Sequence, residues 1–330
     1  MDLNYTDTDF RPQGVIEDCE LDMAFGSDEN DFELSMDISD PRCITHGLIY
    51  MEDMDAVGKI IHTEYGGIID KVRVNTEENQ VVFCGRTWHG IMEGKIICPD
   101  SGQDYLVLSG EANEVLQSLI NRLELESLFV ASAENSGFTI SGYQMDRYVG
   151  GYTGMRKMLS SVGAKLQIRF VYGQVILSAV PAVDYSQDEE WDSDQMNFVI
   201  ENNTRPVNHL VCLGKGDLKE RTVVHLYADD HGSISDSQTF TGIDEVTETY
   251  DYSSVESEEE LEKQGREHLQ ELLDAANSLE TSFENSMVYD IDDIVGAREV
   301  ITGTTVKCRI TKKIVKIDDK GLSIECQIGE

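Results

Sequence analysis

The sequence predicts a β-rich α+β protein with two small β-barrel domains and α/β modules between them. Alternating apolar and polar residues, typical of half-buried strands, dominate both ends of the chain. Apolar residues at helical spacing occur in three stretches between the ends. The length of 330 residues exceeds what one hydrophobic core usually organises, so several modules are expected.

Residues 1–103 are predicted to form the N-terminal β-barrel. Apolar and polar residues alternate over 32–36, and residues 67–74 and 80–87 flank a polar turn, as in a β-hairpin. The stretch 51–64 is open to two interpretations. It fits strands, but Met54, Val57, Ile60 and Ile61 also fall at helical spacing.

Residues 104–185 are predicted to form an α/β module. An apolar stripe from Ala112 to Leu123 indicates one helix. A second helix is expected from Thr153, a suitable N-cap, to Gly163 as its C-terminal stop. Residues 165–172 and 175–180 then predict a hairpin around Gly173-Gln174.

Residues 186–285 are predicted to contain a strand pair and an amphipathic helix. The acidic stretch 185–194 reads as a polar connection, and strands at 207–213 and 222–227 pair across a loop. Ser257 and Glu260 form a capping box for a helix with a leucine stripe. We expect that stripe to pack against the C-terminal barrel, whose strands are predicted within residues 286–330; these domains need not be continuous in sequence.

Composition excludes several classes of function. The 63 acidic and 26 basic residues give a net charge of -37, which repels phosphate backbones, so specific nucleic-acid binding is not expected. No apolar run approaches the roughly 20 residues that cross a bilayer, and no secretory signal is present, so we expect folding in the cytoplasm without membrane insertion. The seven cysteines are odd in number and irregularly spaced, which predicts reduced, mostly buried thiols.

No motif in the sequence predicts chemistry. Carboxylates are so abundant that no pair stands out as a catalytic acid and base, and each is expected at the surface. Cys84, His89 and Cys98 lack a fourth zinc ligand at short spacing, and His209 and His225 are expected to face each other across a sheet. The sequence therefore predicts no catalytic, cofactor-binding or metal-binding residue, no cofactor and no enzyme activity.

Two further features admit a structural and a functional interpretation. Trp88 and Trp191 fit packing residues better than partner contacts, and Gly214-Lys215-Gly216 fits a hairpin loop better than a phosphate loop. The acidic stretch lacks the glycine and glutamate of a helix-loop-helix calcium site.

Several segments together resemble hub proteins at the tail tip of long-tailed bacteriophages, the family that also forms the N-terminal part of tail-associated proteins. The segments that carry the resemblance lie between residues 80 and 330: Gly85-Arg86-Thr87-Trp88-His89-Gly90-Ile91, Lys95-Ile96-Ile97, Trp191-Asp192-Ser193-Asp194, Asn197-Phe198, residues 207–216, Gln238-Thr239-Phe240-Thr241-Gly242, residues 289–299 and Ile310-Thr311-Lys312-Lys313-Ile314. They are fold-defining segments and transfer no active site.

The resemblance implies a structural subunit of a phage or prophage tail tip. Such subunits carry two β-barrel domains and form a trimeric hub ring that caps the tail tube and lines the DNA channel. The implied partners are two further copies, the tail tube and the distal tail or baseplate proteins, and the implied location is the virion tail, assembled in the host bacterial cytoplasm. The chain ends after the last strand run, so we expect no appended enzyme. A tail-associated cell-wall hydrolase, or an acidic carbohydrate- or calcium-binding module, remains the alternative.

Overall fold

The computed structural model describes residues 1–40, 47–54, 57–187, 190–192, 199–255, 257–280 and 289–328. The first strands are β1 (Asp2–Thr6), β2 (Pro12–Ile16), β3 (Glu20–Gly26), β4 (Asp31–Asp37), β5 (Leu48–Met54), β6 (Ile60–Asn75), β7 (Gln80–Thr87), β8 (Ile96–Ile97), β9 (Leu106–Glu111), β10 (Phe129–Ala131), β11 (Thr139–Met145), β12 (Val149–Gly150), β13 (Ala164–Val171) and β14 (Gln174–Pro181). The later strands are β15 (Glu190–Asp192), β16 (Val199–Asn202), β17 (His209–Leu213), β18 (Val223–Ala228), β19 (Ile234–Ser235), β20 (Thr247–Asp251), β21 (Asn277–Glu280), β22 (Ile294–Arg298), β23 (Thr305–Asp318) and β24 (Gly321–Ile328). The helices are α1 (Trp88–Glu93), α2 (Ala112–Arg122), α3 (Gly151–Ser160) and α4 (Glu258–Asp274), with 3-10 turns at Tyr185–Gln187, Leu218–Glu220 and Gly242–Asp244.

The chain divides into two compact units, each assembled from separate stretches of sequence. The first unit comprises residues 1–184, 282–294 and 310–327, and the second comprises residues 185–281, 295–309 and 328–330. The strands greatly outnumber the helices, which confirms a β-rich α+β fold.

An antiparallel sheet organises the first unit, in the order β23-β3-β4-β7-β6-β5-β1-β2, and β24 pairs with β23. β4 shows the predicted alternation, since Phe32, Leu34 and Met36 are buried and the residues between them are more exposed. The predicted hairpin of β6 and β7 is confirmed, with Asn79 in the left-handed region at φ 52°. The C-terminal strand β23 joins this sheet through β3, from Lys312 opposite Gly26 to Ile317 opposite Leu21.

In the open stretch 51–64, residues 51–54 and 60–64 form strands and residues 57–59 belong to the turn between them. Met54 of β5 lies opposite Ile60 of β6, so these two residues share one face of a hairpin. The helical spacing of the apolar residues is a coincidence here, because β5 pairs with β6 from residue 48 to 54 and with β1 over residues 49–52, which satisfies most of its backbone hydrogen bonds.

The core of the α/β part of the first unit lies among β5, β13, β14 and the helices α1 to α3. α2 occupies the predicted position. α3 begins at Gly151, two residues before the predicted cap Thr153. The reason is that Glu93 at the end of α1 accepts a hydrogen bond at 2.9 Å from the Thr153 backbone N–H, so a neighbouring helix provides the capping carboxylate.

The β13–β14 hairpin forms as predicted, but its turn lies one residue earlier. Val171 pairs with Gln174, which leaves Tyr172 and Gly173 as the turn residues. Both have positive φ, 48° and 87° respectively. A two-residue turn of this kind matches the twist of the flanking strands, which explains why a tyrosine is held in an unfavourable backbone region.

In the second unit, β17 and β18 pair antiparallel as predicted, and the sheet continues in the order β19-β18-β17-β20. Ser257 is the N-cap of α4, as predicted, because its side chain accepts a hydrogen bond at 3.4 Å from the Glu260 backbone N–H. The prediction that the leucine stripe of α4 packs on the C-terminal strands is wrong. Its buried residues Leu261 and Leu269 pack in one cluster with apolar side chains of β17 and β18, because this sheet presents an apolar face to the helix.

Candidate functional site

A turn from Tyr289 to Asp293 brings carboxylates into the interior of the first unit. Tyr289 and Ile291 are buried and anchor the turn by packing. The Asp290 backbone N–H donates to Asp293 Oδ2 at 2.9 Å, which closes the turn locally. The Asp292 N–H donates to the Ile310 carbonyl at 2.9 Å, and the Ile310 N–H donates to the Asp293 carbonyl at 2.9 Å, so β23 holds the turn.

Basic side chains from β13 and β23 surround these carboxylates. Lys165 Nζ donates to Asp290 Oδ2 at 3.0 Å and to Asp293 Oδ1 at 2.7 Å. Arg169 donates to Asp290 Oδ1 at 3.2 Å. Lys313 donates to Glu64 of β6, and its Nζ lies 3.9 Å from Asp290 Oδ1.

A second pair fixes the middle of the same turn. Arg156 of α3 binds Asp292 through two parallel hydrogen bonds, with Nε to Oδ2 at 3.0 Å and the terminal nitrogen to Oδ1 at 2.6 Å. This two-pronged geometry is the strongest form of the arginine–carboxylate interaction. Asp292 adopts φ 72°, a strained conformation for a residue with a side chain.

We call these eight residues the buried ionic cluster. It contains four carboxylates and four cations, so its formal charges cancel: Glu64, Asp290, Asp292, Asp293, Arg156, Lys165, Arg169 and Lys313. Lys313 and Asp293 are each 1% exposed. Charges so far from water are tolerated only when they are paired and hydrogen-bonded, which is the arrangement found.

The ionisation of the cluster follows from this pairing. Burial alone would raise the pKa of Asp290, but Arg169, Lys313 and Lys165 outweigh it and lower that pKa to about 2. Burial likewise opposes the charge on Lys313, yet Glu64 and its other acidic neighbours raise the pKa of its ammonium group. Both groups are therefore charged at neutral pH.

The cluster supports structure rather than catalysis. Its carboxylates accept hydrogen bonds from cations, whereas a general base needs a titrating group near neutral pH that can reach a substrate. Within the ranges that the structure describes, no group of three or more His, Cys, Asp or Glu side chains is arranged to hold a metal ion. The hydrogen bonds of the cluster hold the turn of residues 289–293 against α3, β13, β6 and β23 of the same unit.

His89 lies close to this region but has a packing role. It is 1% exposed, its ring stacks on Phe25 at 4.3 Å, and the Tyr152 ring contacts it edge-on at 5.0 Å. Burial, then Arg156 and Lys313, lower its pKa well below the usual value, which keeps the imidazole neutral. Cys84 donates to Glu33, and Cys98 is exposed, so the three residues that were considered as zinc ligands have separate surroundings.

Trp88 is a core residue, in agreement with the packing interpretation. It is fully buried and stacks on Phe170 with a centroid distance of 5.3 Å. A side chain at Gly66 would come within 2.5 Å of the Trp88 ring, so glycine is needed there for close packing. The helix α1, which begins at Trp88 and is capped by Thr87, was not predicted from the sequence.

His209 and His225 face each other across β17 and β18 as expected, with His209 Nε2 and His225 Nδ1 2.8 Å apart. The other nitrogen of His209 lies 2.7 Å from Glu245 Oε1. The Gly214-Lys215-Gly216 stretch forms the predicted hairpin loop, since the Gly214 N–H donates to the Thr222 carbonyl at 2.9 Å.

Several sequence predictions fall on parts of the chain that are not described. Trp191 lies in β15, but its side chain is outside the described residues. Residues 188–189 and 193–198, which include part of the acidic stretch and two segments of the resemblance, are also outside them. Of the described cysteines, Cys212, Cys308 and Cys326 are buried as expected, Cys19 and Cys84 are half-buried, and Cys98 is exposed; Cys43 lies outside the described residues.

The prediction that every acidic residue lies at the surface is wrong for Glu64, Asp290 and Asp293, which are less than 10% exposed. The sequence of β23 contains a signal for this burial. Val306, Cys308 and Ile310 alternate and are buried, and after a shift of one residue in the alternation the buried positions are Lys313 and Val315. Lysine at an inward position requires a buried acidic partner.

Among the helices that the structure describes, none has the length and apolar character needed to cross a membrane. No protein-family model matches the sequence, and no curated protein is detectably similar to it.

Solved structures show the likeness that sequence comparison does not. The chain is similar to a tail protein from Neisseria meningitidis MC58 (TM-score 0.58, 12% identity, covering 100% of this chain and 96% of the other). It is similar to the 43 kDa tail protein of prophage MuSo2 from Shewanella oneidensis (TM-score 0.60, 10% identity, 99% and 98% covered). It is also similar to prophage tail protein gp18 from Listeria monocytogenes EGD-e (TM-score 0.56, 12% identity, 99% and 94% covered).

At 10–12% identity this similarity establishes the fold, and it extends over nearly the whole length of each pair of chains. The resemblance predicted from the sequence is thereby confirmed at the level of the fold: the chain has the architecture of phage and prophage tail proteins.

Proposed function

We propose that this protein is a structural subunit of a phage or prophage tail tip, located in the virion tail and assembled in the cytoplasm of the host bacterium. The observation that carries the proposal is the shared fold, which covers at least 94% of each of three prophage or tail proteins. A fold shared from end to end leaves little of the chain for a different role, although fold alone does not specify function.

In the proposed assembly, three copies form a hub ring that caps the tail tube and contacts distal tail or baseplate proteins. Each copy contributes two β-barrel domains, one near residues 1–103 and one including strands of 286–330, with modules 104–185 and 186–285 between them. Two similar barrels from each of three subunits present six similar surfaces, which suits a six-fold tube. Residues 310–327 of the C-terminal strands lie in the first unit with the N-terminal sheet, and residues 295–309 lie in the second unit, so the two proposed barrels would share the C-terminal strands between them.

The net charge of -37 supports a place beside the DNA channel. A wall rich in carboxylates repels the phosphates of DNA, so DNA passes without binding. Specific nucleic-acid binding and membrane insertion are not part of the proposed role.

A reconstruction of purified tails by electron cryomicroscopy tests the proposal. We expect density for this chain at the tail tip, in three copies around the channel. Absence from the tip, a position outside the channel, or another copy number would contradict the hub assignment.

We also propose that the protein is not an enzyme. The buried ionic cluster, the most heavily charged interior feature among the described residues, has its charges paired within the protein. Incubation of the purified chain with peptidoglycan should release no product. Turnover that one point substitution abolishes would favour a cell-wall hydrolase instead.

A further inference from the structure

The tips of two hairpins in the first unit expose large apolar side chains next to each other. Met54, Val57 and Ile60 at the β5–β6 tip are 62%, 89% and 41% exposed, and Tyr172 at the β13–β14 tip is 87% exposed. Met54 and Ile60 pair across the hairpin and share one face. His62 lies two residues after Ile60, hence on the same face, and its ring contacts the Tyr172 ring edge-on at 5.4 Å. We call Met54, Val57, Ile60 and Tyr172 the hairpin-tip patch.

The size of the patch indicates an interface. At these exposures the four residues present an apolar surface on the order of several hundred Å², the size of the largest patch on a typical monomer, which is often functional. A partner covering it would lose a similar area, so the contact would bury roughly 1,000 Å² in total, about the minimum for a specific protein interface.

The charge of the chain indicates which partner fits. Two copies with a net charge of -37 each repel one another over most of their surfaces. Contact between them is least unfavourable where at least one of the two facing surfaces is uncharged, and the four residues of the patch carry no charge. We propose that the hairpin-tip patch is the surface through which one copy of this chain binds a second copy. The proposal rests on the proposed function and deepens it, because it assigns this patch to one side of the contact between neighbouring subunits of the ring, the other side being a different surface of the neighbour.

The salt dependence of self-association provides the first test. Sedimentation velocity over a range of protein concentrations, at 0.1 and 0.5 M NaCl, should show self-association that strengthens with salt, because salt screens the repulsion and leaves apolar contact intact. A chain that stays monomeric at every concentration in both salts overturns the proposal.

A matched pair of double variants locates the contact. Met54→Asp combined with Tyr172→Asn removes two apolar side chains of the patch, and asparagine tolerates the positive φ at position 172. The control is Ile243→Asp combined with Leu218→Asn in the second unit, where the residues are 85% and 96% exposed and Leu218 also has positive φ. Both variants change the net charge equally.

We expect the patch variant to weaken self-association at least tenfold and the control to change it less than twofold, with unchanged circular dichroism for both. Equal effects of the two variants would overturn the proposal. So would unchanged self-association of a patch variant that is no longer incorporated into tails, because the patch would then bind another tail protein. A wild-type chain that self-associates through the patch but is absent from tails would contradict the proposed function and leave this inference standing.

Discussion

At the scale of single residues, the buried ionic cluster shows that the ionisation of a buried side chain in this protein depends on the oppositely charged side chains next to it. Lys313 is nearly inaccessible to water and remains charged because Glu64 and Asp290 compensate for its lost hydration. The cations of the cluster, together with two backbone N–H groups that donate to Asp293, in turn allow Asp290 and Asp293 to be buried as carboxylates. Removal of one member therefore leaves another charge buried without compensation.

Lys313→Met should destabilise the protein by about 3–5 kcal/mol, because it leaves the buried carboxylate of Glu64 without its lysine partner. Lys316→Met on the same strand is the matched control. Lys316 is half exposed and lies 3.5 Å from Asp22 at the surface, so its loss should cost no more than about 1 kcal/mol. Urea unfolding measures the loss in free energy of unfolding for both variants. Equal losses would show that the cluster contributes no more to stability than a surface ion pair does.

Asp290 should make the stability of the protein depend on pH below about 4. Its pKa falls from 3.8 to about 2 on folding, so its contribution is complete above pH 4 and is lost as the pH falls towards 2. The shift corresponds to about 2 kcal/mol. We expect Asp290→Asn to be less stable at pH 7 and to lose less stability than the wild type between pH 4 and 2. Asp22→Asn, at the surface, should keep the wild-type profile in the same urea titrations.

At the scale of elements, the packing of α4 on its sheet depends on a residue that weakens the helix. Gly265 lies in the middle of α4, where alanine would normally stabilise by roughly 0.5–1 kcal/mol. A Cβ atom at this position would lie 2.3 Å from Cys212 Sγ and 2.8 Å from Leu226 Cδ1. Close approach of helix and sheet therefore outweighs helix propensity here.

Gly265→Ala should accordingly destabilise the protein, by about 1–3 kcal/mol, as overpacking of a core does. Cys212→Ala removes the nearer obstructing atom, so the double variant should be more stable than the sum of the two single effects predicts. A double-mutant cycle of urea unfolding measures this coupling. Strict additivity would show that α4 shifts away without cost.

At the scale of the whole molecule, the excess of acidic residues acts against folding. Seven carboxylates line one surface hollow of the first unit: Glu17, Asp18, Glu20, Asp37, Glu78, Asp318 and Asp319. Their mutual repulsion is present in the folded state and weaker in the expanded unfolded chain. The charge of this surface therefore lowers the free energy of unfolding.

Asp319→Lys should stabilise the protein by a few tenths of a kcal/mol at 0.05 M NaCl, about the size of a surface ion interaction. The gain should disappear at 0.5 M NaCl, where charges more than about 4 Å apart are screened. Urea midpoints at the two salt concentrations give the result. A gain that survives high salt would point to a change in the turn rather than to relief of repulsion.

Local patterns in the sequence determined the elements whose signals lie within a few residues. The alternation in β4, the stripe of α2, the Ser257 N-cap of α4 and the pairing of β17 with β18 are of this kind, and all four are confirmed. The acidic composition and the likeness to tail proteins were equally visible in the sequence, the latter now confirmed as a shared fold.

Only the tertiary structure decided what depends on residues far apart in the chain. β23 pairs with β3 across nearly 290 residues, Lys313 meets Glu64 across 249, and Glu93 caps a helix that begins 58 positions later. The packing of α4 on β17 and β18 rather than on the C-terminal strands is likewise a contact that no local pattern specifies. A strand pattern states which face is apolar but not which surface will cover it, and a lone carboxylate in a sequence does not reveal the cation that will make its burial possible.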